Sequence, residues 1–176
     1  MRETSVSVYK HGYISISKPL GFFARSVRDN LLLDDREVDE ATIQQAVAVS
    51  QFTEVLERLP DGLDHKLPPG GGTLSGSEKR RLALARMLLR DPDVILIDEL
   101  EAGLPQAQAQ DILAAVREAT RGKTCLMVTH RPDLLKVDRV AFVDKGCIVD
   151  VGTHEMLARR SEAYQSLLAR RREDEP

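Results

Sequence analysis

Two hydrophobic periodicities divide the chain into a helical region and a strand-rich region. Between residues 26 and 63, apolar residues recur at helical spacing in SVRDNLLL, DEATIQQAVAVS and SQFTEVLERL, each opened by a Ser or Asp that is a candidate cap. Beyond Arg90 the pattern changes to the continuous runs VILI, TCLMVT and VAFV, which are typical of strands covered on both faces. The order predicts a small all-helical lobe followed by a sheet.

Helical segments separate the strand runs. QAQAQDILAAVREAT follows VILI, and RPDLLK follows TCLMVT. This alternation is typical of βαβ units, so we predict an α/β fold with a parallel sheet. The turn Asp144-Lys145-Gly146 predicts a hairpin in which CIVDV closes the edge of the sheet. One or two short strands are predicted between residues 5 and 17, and helices at HEMLARR and SEAYQSLLARRRE.

The helix that joins the two regions has a well-defined start. Residues 59–73 are dense in Gly and Pro and predict a loop. Ser75-Gly76-Ser77-Glu78 then matches the S-x-x-E capping box, which is worth about 1 kcal/mol. The predicted buried face consists of Leu82, Ala85, Leu88 and Leu89. The basic residues are expected mostly elsewhere on the helix, namely Lys79, Arg80, Arg81 and Arg86.

Composition excludes several classes of protein. The 176 residues carry a formal net charge of -3, which gives no electrostatic reason to expect a nucleic-acid partner. No apolar run approaches the roughly 18 residues of a membrane-spanning helix, and the N-terminus lacks the apolar core of a secretion signal. Cys125 and Cys147 lie in strand-like runs without a CxxC motif, so we expect buried structural thiols rather than a metal site or disulfide.

An acidic pair and a histidine follow two of the predicted strands. Asp98 and Glu99 end the VILI run, and His130 ends TCLMVT. Because ligands bind beyond the carboxyl ends of parallel strands, neighbouring strands would bring these three side chains into one crevice. Such a group suits Mg²⁺, a nucleophilic water and a transferring phosphoryl group. In the alternative interpretation these polar residues only begin loops.

The capped helix offers a second candidate site. Ser75 opens the helix behind a glycine-rich loop, so the free amides and the positive end of the helix dipole favour an anion. A cap without a ligand is the alternative interpretation. The Lys79-Arg80-Arg81 cluster is of a kind that is usually a solvated face, and we predict no nucleic-acid contact there.

Together these residues resemble the ATP-binding cassette (ABC) family, and specifically the nucleotide-binding domain of exporter-type transporters. LSGSE is similar to the signature LSGGQ, VILIDE to the Walker B strand with its catalytic glutamate, and VTHRP to the segment with the switch histidine. LPDGLD, LARMLLRDPD and VDRVAFVDKGCIVDVGTHEML are similar to exporter cassettes in wording and spacing, and GYISISKPLGFFARSVRDNL resembles the Q-loop and the start of the helical subdomain. The resemblance covers about residues 10 to 170.

The resemblance implies a partial P-loop NTPase (RecA-like) parallel sheet with an inserted all-helical subdomain. Residues 1–25 are then N-terminal strands and a Q-loop remnant, and 26–90 a helical subdomain that ends in the signature helix. Residues 91–160 form the α/β core with Walker B, D-loop and H-loop, and 161–176 a C-terminal helix.

The resemblance also implies roles for individual residues. Glu99 polarises the attacking water, His130 contacts the γ-phosphate, and Asp98 helps to hold Mg²⁺. The implied nucleotide-binding residues are Ser75, Gly76, Ser77 and Glu78 of the signature, and Lys18 of the Q-loop. ATP and Mg²⁺ are therefore the expected ligands.

The expected partners are a second cassette and a transmembrane domain. Cassettes of this family work as head-to-tail dimers, identical or different, in which each ATP contacts Walker motifs of one subunit and the signature of the other. The transmembrane domain lies on the same or a separate chain, so we expect this chain at the cytoplasmic face of the cell membrane.

The sequence departs from the family in one large respect. It contains no G-x-x-x-x-G-K-[ST] loop, since PPGGGTLSG lacks the Lys-Ser/Thr pair and follows the helical lobe. The phosphate cradle, its lysine and the hydroxyl that binds Mg²⁺ are therefore absent from the sequence. We expect either the C-terminal part of a longer transporter or a naturally short, degenerate cassette.

Smaller departures lie at the implied site residues. Lys18 replaces the Q-loop glutamine, and its charge would repel a metal ion. Ser77 and Glu78 replace the second glycine and the glutamine of the signature, and Pro105 replaces the D-loop aspartate. One alternative is a non-catalytic module that supplies Ser75 and Gly76 to a partner ATPase. Another is a soluble ABC ATPase unrelated to transport, since LSGSEK also resembles DNA-repair and translation members of the family, although LPDGLD and GTHEML argue against it.

Overall fold

The computed structural model describes residues 6–8, 13–16, 20–33 and 37–174, and the chain divides into two compact units, Met1–His130 and Arg131–Pro176. The first unit contains the strands β1 (Val6–Val8), β2 (Tyr13–Ile16), β3 (Val94–Asp98) and β4 (Thr124–Val128). Its helices are α1 (Val27–Leu32), α2 (Glu40–Val49), α3 (Thr53–Arg58), α4 (Gly76–Leu88) and α5 (Gln106–Ala119).

The four strands of the first unit form one sheet in the order β1-β2-β3-β4. β2, β3 and β4 run parallel, and β1 pairs antiparallel with β2. The crossover from β3 to β4 passes through α5, whose buried face includes Ala109, Ile112 and Val116. The predicted parallel α/β arrangement is confirmed for this part of the chain.

β4 is less covered than the sequence predicts. Residues of β3 alternate between half-buried and buried, but those of β4 alternate between exposed and half-buried. Leu126 is 62% exposed and Val128 is 52% exposed, so the prediction of a strand covered on both faces is wrong for β4. The exposed residues Thr124, Leu126 and Val128 alternate along β4 and therefore share one face of the sheet, which the described residues leave uncovered.

Two of the three helix caps predicted for the helical lobe are present in the structure. Ser26 caps α1 with a full capping box, and Asp39 caps α2. The third prediction is wrong, because Ser50 ends α2 and α3 begins after Phe52 without a side-chain cap. The loop before α4 contains two short 3₁₀ turns, Gly62–Asp64 and Pro69–Gly71.

The signature helix α4 starts where predicted but is buried more completely. Ser75 is its N-cap, with the reciprocal Ser75–Glu78 capping box. Arg80 and Arg86 are 8% and 2% exposed, so their predicted position away from the core is wrong. Arg86 donates through Nε and Nη1 to backbone carbonyls, which offsets the cost of burying its guanidinium group. Arg80 donates through Nη2 to the Ala102 carbonyl, but its buried Nε has no hydrogen-bond partner among the described residues.

The second unit contains β5 (Val140–Asp144), β6 (Cys147–Gly152), α6 (His154–Arg160) and α7 (Glu162–Asp174). β5 and β6 form the predicted hairpin, but as a separate two-stranded sheet rather than as the edge of the larger one. Tyr164 is buried at its centre, stacks edge-on against Phe142 and lies 2.9 Å from Nδ1 of His154.

Two further properties concern the whole described chain. Burial raises the pKa of the Cys125 thiol, but Cys147 is exposed, so the expectation of two buried thiols is wrong for Cys147 because a hairpin end has no cover. None of the described helices is long and apolar enough to cross a membrane.

Candidate functional site

The acidic pair and the histidine lie on the same rim of the sheet. Asp98 is the last residue of β3 and pairs in register with Val128, the last residue of β4. The Glu99 amide donates to the Val128 carbonyl at 2.9 Å, which continues the strand pairing by one residue. The predicted pairing of neighbouring parallel strands is confirmed, and it brings Glu99 and His130 together; Asp98 lies at the same end of the sheet.

Glu99 and His130 are in direct contact. Nε2 of His130 lies 2.5 Å from Oε1 of Glu99, within ion-pair distance when the imidazole is protonated. Glu99 adopts φ 46°, a left-handed conformation that costs free energy for a residue with a side chain. His130 has a side chain that is 70% exposed, so the pair faces solvent at the end of the sheet.

Asp98 is exposed beside this pair. Within the described residues, no group of three or more His, Cys, Asp or Glu side chains is arranged to hold a metal ion. Mg²⁺ commonly takes only one or two protein carboxylates and completes its shell with water and phosphate oxygens. An exposed carboxylate at a strand end therefore fits Mg²⁺ that arrives with a nucleotide, rather than a metal cage built by the protein.

The turn after Glu99 contains a buried acid that sequence reasoning missed. Glu101 is 1% exposed, and its Oε1 accepts a hydrogen bond from the Thr129 hydroxyl. Arg80 of α4 donates to the carbonyl of Ala102 in the same turn at 2.7 Å. The available signal was a third carboxylate, two residues after Glu99, in the otherwise uncharged stretch LEAGLP.

The second predicted site, at the start of α4, is formed by a regular helix N-terminus. The Glu78 amide donates to Oγ of Ser75 at 3.3 Å, and the Ser75 amide donates to Oε2 of Glu78 at 2.8 Å. The amides of Gly76 and Ser77 belong to the first turn, where no intrahelical acceptor is available. The helix N-terminus on which the predicted anion site depends is therefore formed, and anion binding at Ser75, Gly76 and Ser77 stays a prediction.

Glu78 adds a negative charge to that helix end. Burial raises the pKa of Glu78, but the hydrogen bond from the Ser75 amide and those from Arg58 and Ser75 outweigh burial and hold the pKa below its usual value. Arg58 Nη2 lies 2.6 Å from Oε1 of Glu78, so the carboxylate is ionised and partly neutralised. The residue that replaces the signature glutamine thus acts mainly as a cap.

Two further positions that the family resemblance singled out are Lys18 and Pro105. Lys18 lies outside the described residues. Pro105 is the N-cap residue of α5 and offers no side-chain acceptor to the helix amides. Among the described residues no hydrogen bond or ion pair joins the Ser75–Glu78 site directly to Asp98, Glu99 or His130, and the connection runs through Arg80 of α4 instead.

Comparison with known proteins identifies the family. The family model described as ABC transporter matches residues 9–102, just over half of the 176 residues. The chain is 33% identical over 147 residues to P-glycoprotein 14 of Caenorhabditis elegans, covering 83% of this chain and 11% of that protein. It is 33% identical over 135 residues to the ATP-dependent lipid A-core flippase of Ralstonia nicotianae, covering 76% of this chain and 23% of that protein.

A solved structure agrees with these relatives. The chain superposes on a bacterial Atm1-family ABC exporter with ATP bound at a TM-score of 0.82 and 27% identity, covering 91% of this chain and 28% of that one. The chain thus spans between about a tenth and a quarter of the length of these exporters. From its matched residues and its fold, the chain belongs to the ABC transporter family and corresponds to the nucleotide-binding domain of its exporter-type members.

Proposed function

We propose that this chain serves as part of the nucleotide-binding domain of an ABC exporter, which couples ATP binding and hydrolysis at a dimer interface to transport. The observation that carries the proposal is the 2.5 Å contact between Glu99 Oε1 and His130 Nε2, on the rim that also carries Asp98. Two adjacent strands thereby present a base, a proton-carrying ring and a carboxylate suited to Mg²⁺.

Within this proposal Glu99 orients the attacking water. A water that donates to the Glu99 carboxylate gives up its proton there as its oxygen bonds to the γ-phosphorus, and the bond to the ADP oxygen breaks. His130, paired with Glu99, offers a ring N–H to the phosphate oxygens when it is released from the carboxylate. Mg²⁺, when bound at Asp98, neutralises charge on the phosphates.

The helix start supports a role toward a nucleotide on a partner cassette. Oγ of Ser75 accepts the Glu78 amide, which leaves the hydroxyl hydrogen available for a phosphate oxygen. The free amides of Gly76 and Ser77 add two more donors at the positive end of the helix dipole. Arg58 offsets the Glu78 charge that would otherwise oppose phosphate binding.

The proposal includes the assembly implied by the family. The partners are a second cassette, identical or different, and a transmembrane domain on the same or a separate chain, at the cytoplasmic face of the membrane. The division at residues 25, 90 and 160 belongs to the same proposal. The exporter relatives support these inferences, since this chain matches about a tenth to a quarter of each protein's length.

A polypeptide of these 176 residues is expected to bind ATP weakly by itself, with half-saturation above about 1 mM. The reason is the missing phosphate cradle, whose lysine and backbone amides supply much of the affinity in this fold class. Isothermal titration with Mg-ATP measures this directly. Saturation in the micromolar range would contradict the expectation and would require another phosphate site in the chain.

The function is tested by mixing the chain with a complete exporter cassette that carries its own phosphate loop. We expect the chain to raise ATP turnover in a concentration-dependent way, and Ser75→Arg to reduce that increase by about tenfold or more. The substitution removes the capping box and places a long side chain over the helix amides. Ser166→Arg, at an exposed position of α7, is the matched control.

The possible results separate two functions. No increase at saturating chain, or equal losses with Ser75→Arg and Ser166→Arg, would argue against a role at a shared ATP site. The second candidate function is a non-catalytic module that supplies only the signature. It is favoured by the substituted positions Ser77, Glu78 and Pro105. Such a module loses its effect with Ser75→Arg and is indifferent to Glu99→Gln.

A further inference from the structure

A buried carboxylate lies in the turn that follows β3, two residues after Glu99. Glu101 is 1% exposed, and its Oε1 accepts a hydrogen bond from the hydroxyl of Thr129. Its Oε2 is buried and has no hydrogen-bond partner among the described residues. Burying a charged group in this way is costly unless an opposite charge and fixed dipoles compensate, so the position of Glu101 calls for an explanation.

The compensating charge comes from the signature helix. Arg80 of α4 is buried beside the same turn and donates through Nη2 to the carbonyl of Ala102 at 2.7 Å. Burial lowers the pKa of Arg80, and the negative charge of Glu101 acts in the opposite direction, as expected for two charges close together. The turn after Glu99 is therefore attached to α4 through Arg80.

Three links cross from the end of β3 to the end of β4. The first joins the Glu99 amide to the Val128 carbonyl at 2.9 Å, and the second joins Glu101 to Thr129. The third is the 2.5 Å contact of Glu99 with His130. The first two links hold the chain immediately before His130, so the geometry of the third depends on them.

We propose that Glu101 is a positioning residue that fixes the Thr129–His130 segment and thereby holds the imidazole of His130 against Glu99. The Ala102 amide donates to the Glu99 carbonyl at 3.1 Å, so the turn that contains Glu101 is hydrogen-bonded to Glu99 as well. Glu99 is strained at φ 46°, so its placement needs such support from its neighbours. Without the Glu101 link, the bond from the Glu99 amide to the Val128 carbonyl is the one remaining link, of the first two, that holds the chain before His130.

The positioning role is tested on the free chain by NMR of the histidine side chains. The Nε2 resonance of His130, assigned with His130→Gln, reports its contact with Glu99, and Glu99→Ala, which has no acceptor on its side chain, gives the value without that contact. We expect Thr129→Val and Glu101→Leu each to move the resonance most of the way to this value. Thr129→Ser, which restores the hydroxyl, is expected to return it to the wild-type position.

The double variant and a control complete the design. Thr129→Val combined with Glu101→Leu is expected to add no further change, since both remove the same bond. Glu118→Gln, at an exposed position of α5, is expected to change nothing. If Glu101→Leu does not fold, the comparison of Thr129→Val with Thr129→Ser decides by itself. An unmoved His130 resonance in Thr129→Val would overturn the proposal.

The catalytic consequence rests on the proposed function and has its own readout. In the assembled exporter we expect Thr129→Val to lower kcat by about tenfold to a hundredfold with KM unchanged, because a displaced group costs rate rather than affinity. A shifted resonance without a change in kcat would preserve the positioning role and count against hydrolysis at this rim. An unshifted His130 resonance in Thr129→Val, together with ATP turnover by the wild-type enzyme, would contradict the positioning role and leave hydrolysis at this rim intact.

Discussion

Glu99→Gln is expected to reduce ATP turnover of the assembled exporter by about 10²- to 10⁴-fold, the usual contribution of a positioned general base. Glutamine keeps the size of the side chain and an oxygen that still accepts from His130 Nε2, but it cannot take a proton from water. The 2.5 Å contact and the strained backbone of Glu99 indicate that its position is set by the fold rather than by its charge alone. The loss is therefore expected in kcat with little change in KM.

The measurement is steady-state ATP turnover in the assembly that supplies the phosphate loop. Glu118→Gln, an exposed substitution of the same type in α5, is the control and is expected to retain full turnover. Turnover within about twofold of wild type in Glu99→Gln would contradict hydrolysis at this rim, because losing a working base costs far more. That result would favour the non-catalytic module.

The second large effect concerns stability. Arg86→Met is expected to lower the free energy of unfolding by about 2 to 5 kcal/mol, because it leaves buried acceptors unpaired. Arg86 is 2% exposed and donates to the carbonyls of Asn30 at 2.6 Å and Gly21 at 2.9 Å. Its guanidinium also lies 4.8 Å from the centre of the Phe22 ring.

Arg86 also joins parts of the first unit that are distant in sequence. Burial, together with the like charge of Arg90, lowers the pKa of Arg86 to about 10, so the group is still charged at neutral pH. Methionine fills most of the apolar volume but supplies none of the donors, so the loss comes mainly from hydrogen bonding. The segment that leaves β2 would then lose its attachment to α4.

Urea unfolding followed by circular dichroism measures the change in free energy. Arg117→Met, at an exposed position of α5, is the matched control and is expected to stay within about 0.5 kcal/mol of wild type. A loss below about 1 kcal/mol in Arg86→Met would mean that the carbonyls of Gly21 and Asn30 find other donors. A changed m-value would indicate a change in the unfolded or native ensemble rather than a lost contact.

The candidate site was predictable where it depends on local pattern. The apolar run that ends at Asp98 and the run that ends before His130 predict parallel strands, and parallel strands bring their carboxyl ends to one edge. The Ser75–Glu78 capping box likewise needs only four residues, and it is formed as expected. The roles of these residues in hydrolysis remain predictions.

The supporting residues were not predictable in this way. The sequence predicts that Arg80 and Arg86 lie mostly away from the buried face of the helix, and it predicts no role for Glu101. Their burial depends on carbonyls and charges far away in the chain, such as Gly21 for Arg86 and Thr129 for Glu101. Local periodicity does not predict these partners, because a charged side chain is buried only when another group compensates it, and here that group is distant in sequence.

The sequence by itself determined most of the strands and helices, the helix caps at Ser26, Asp39 and Ser75, and the identity of the polar residues at two strand ends. These follow from hydrogen bonds and side-chain periodicity within a few residues of the chain. The predicted helix at RPDLLK is an exception, because only the 3₁₀ turn Pro132–Leu134 forms there. Only the tertiary structure decided that Glu99 meets His130, that Glu101 lies buried behind them, and that β4 exposes Leu126 and Val128. Those properties depend on which elements become neighbours, since contact and burial are set by groups that are far apart in sequence.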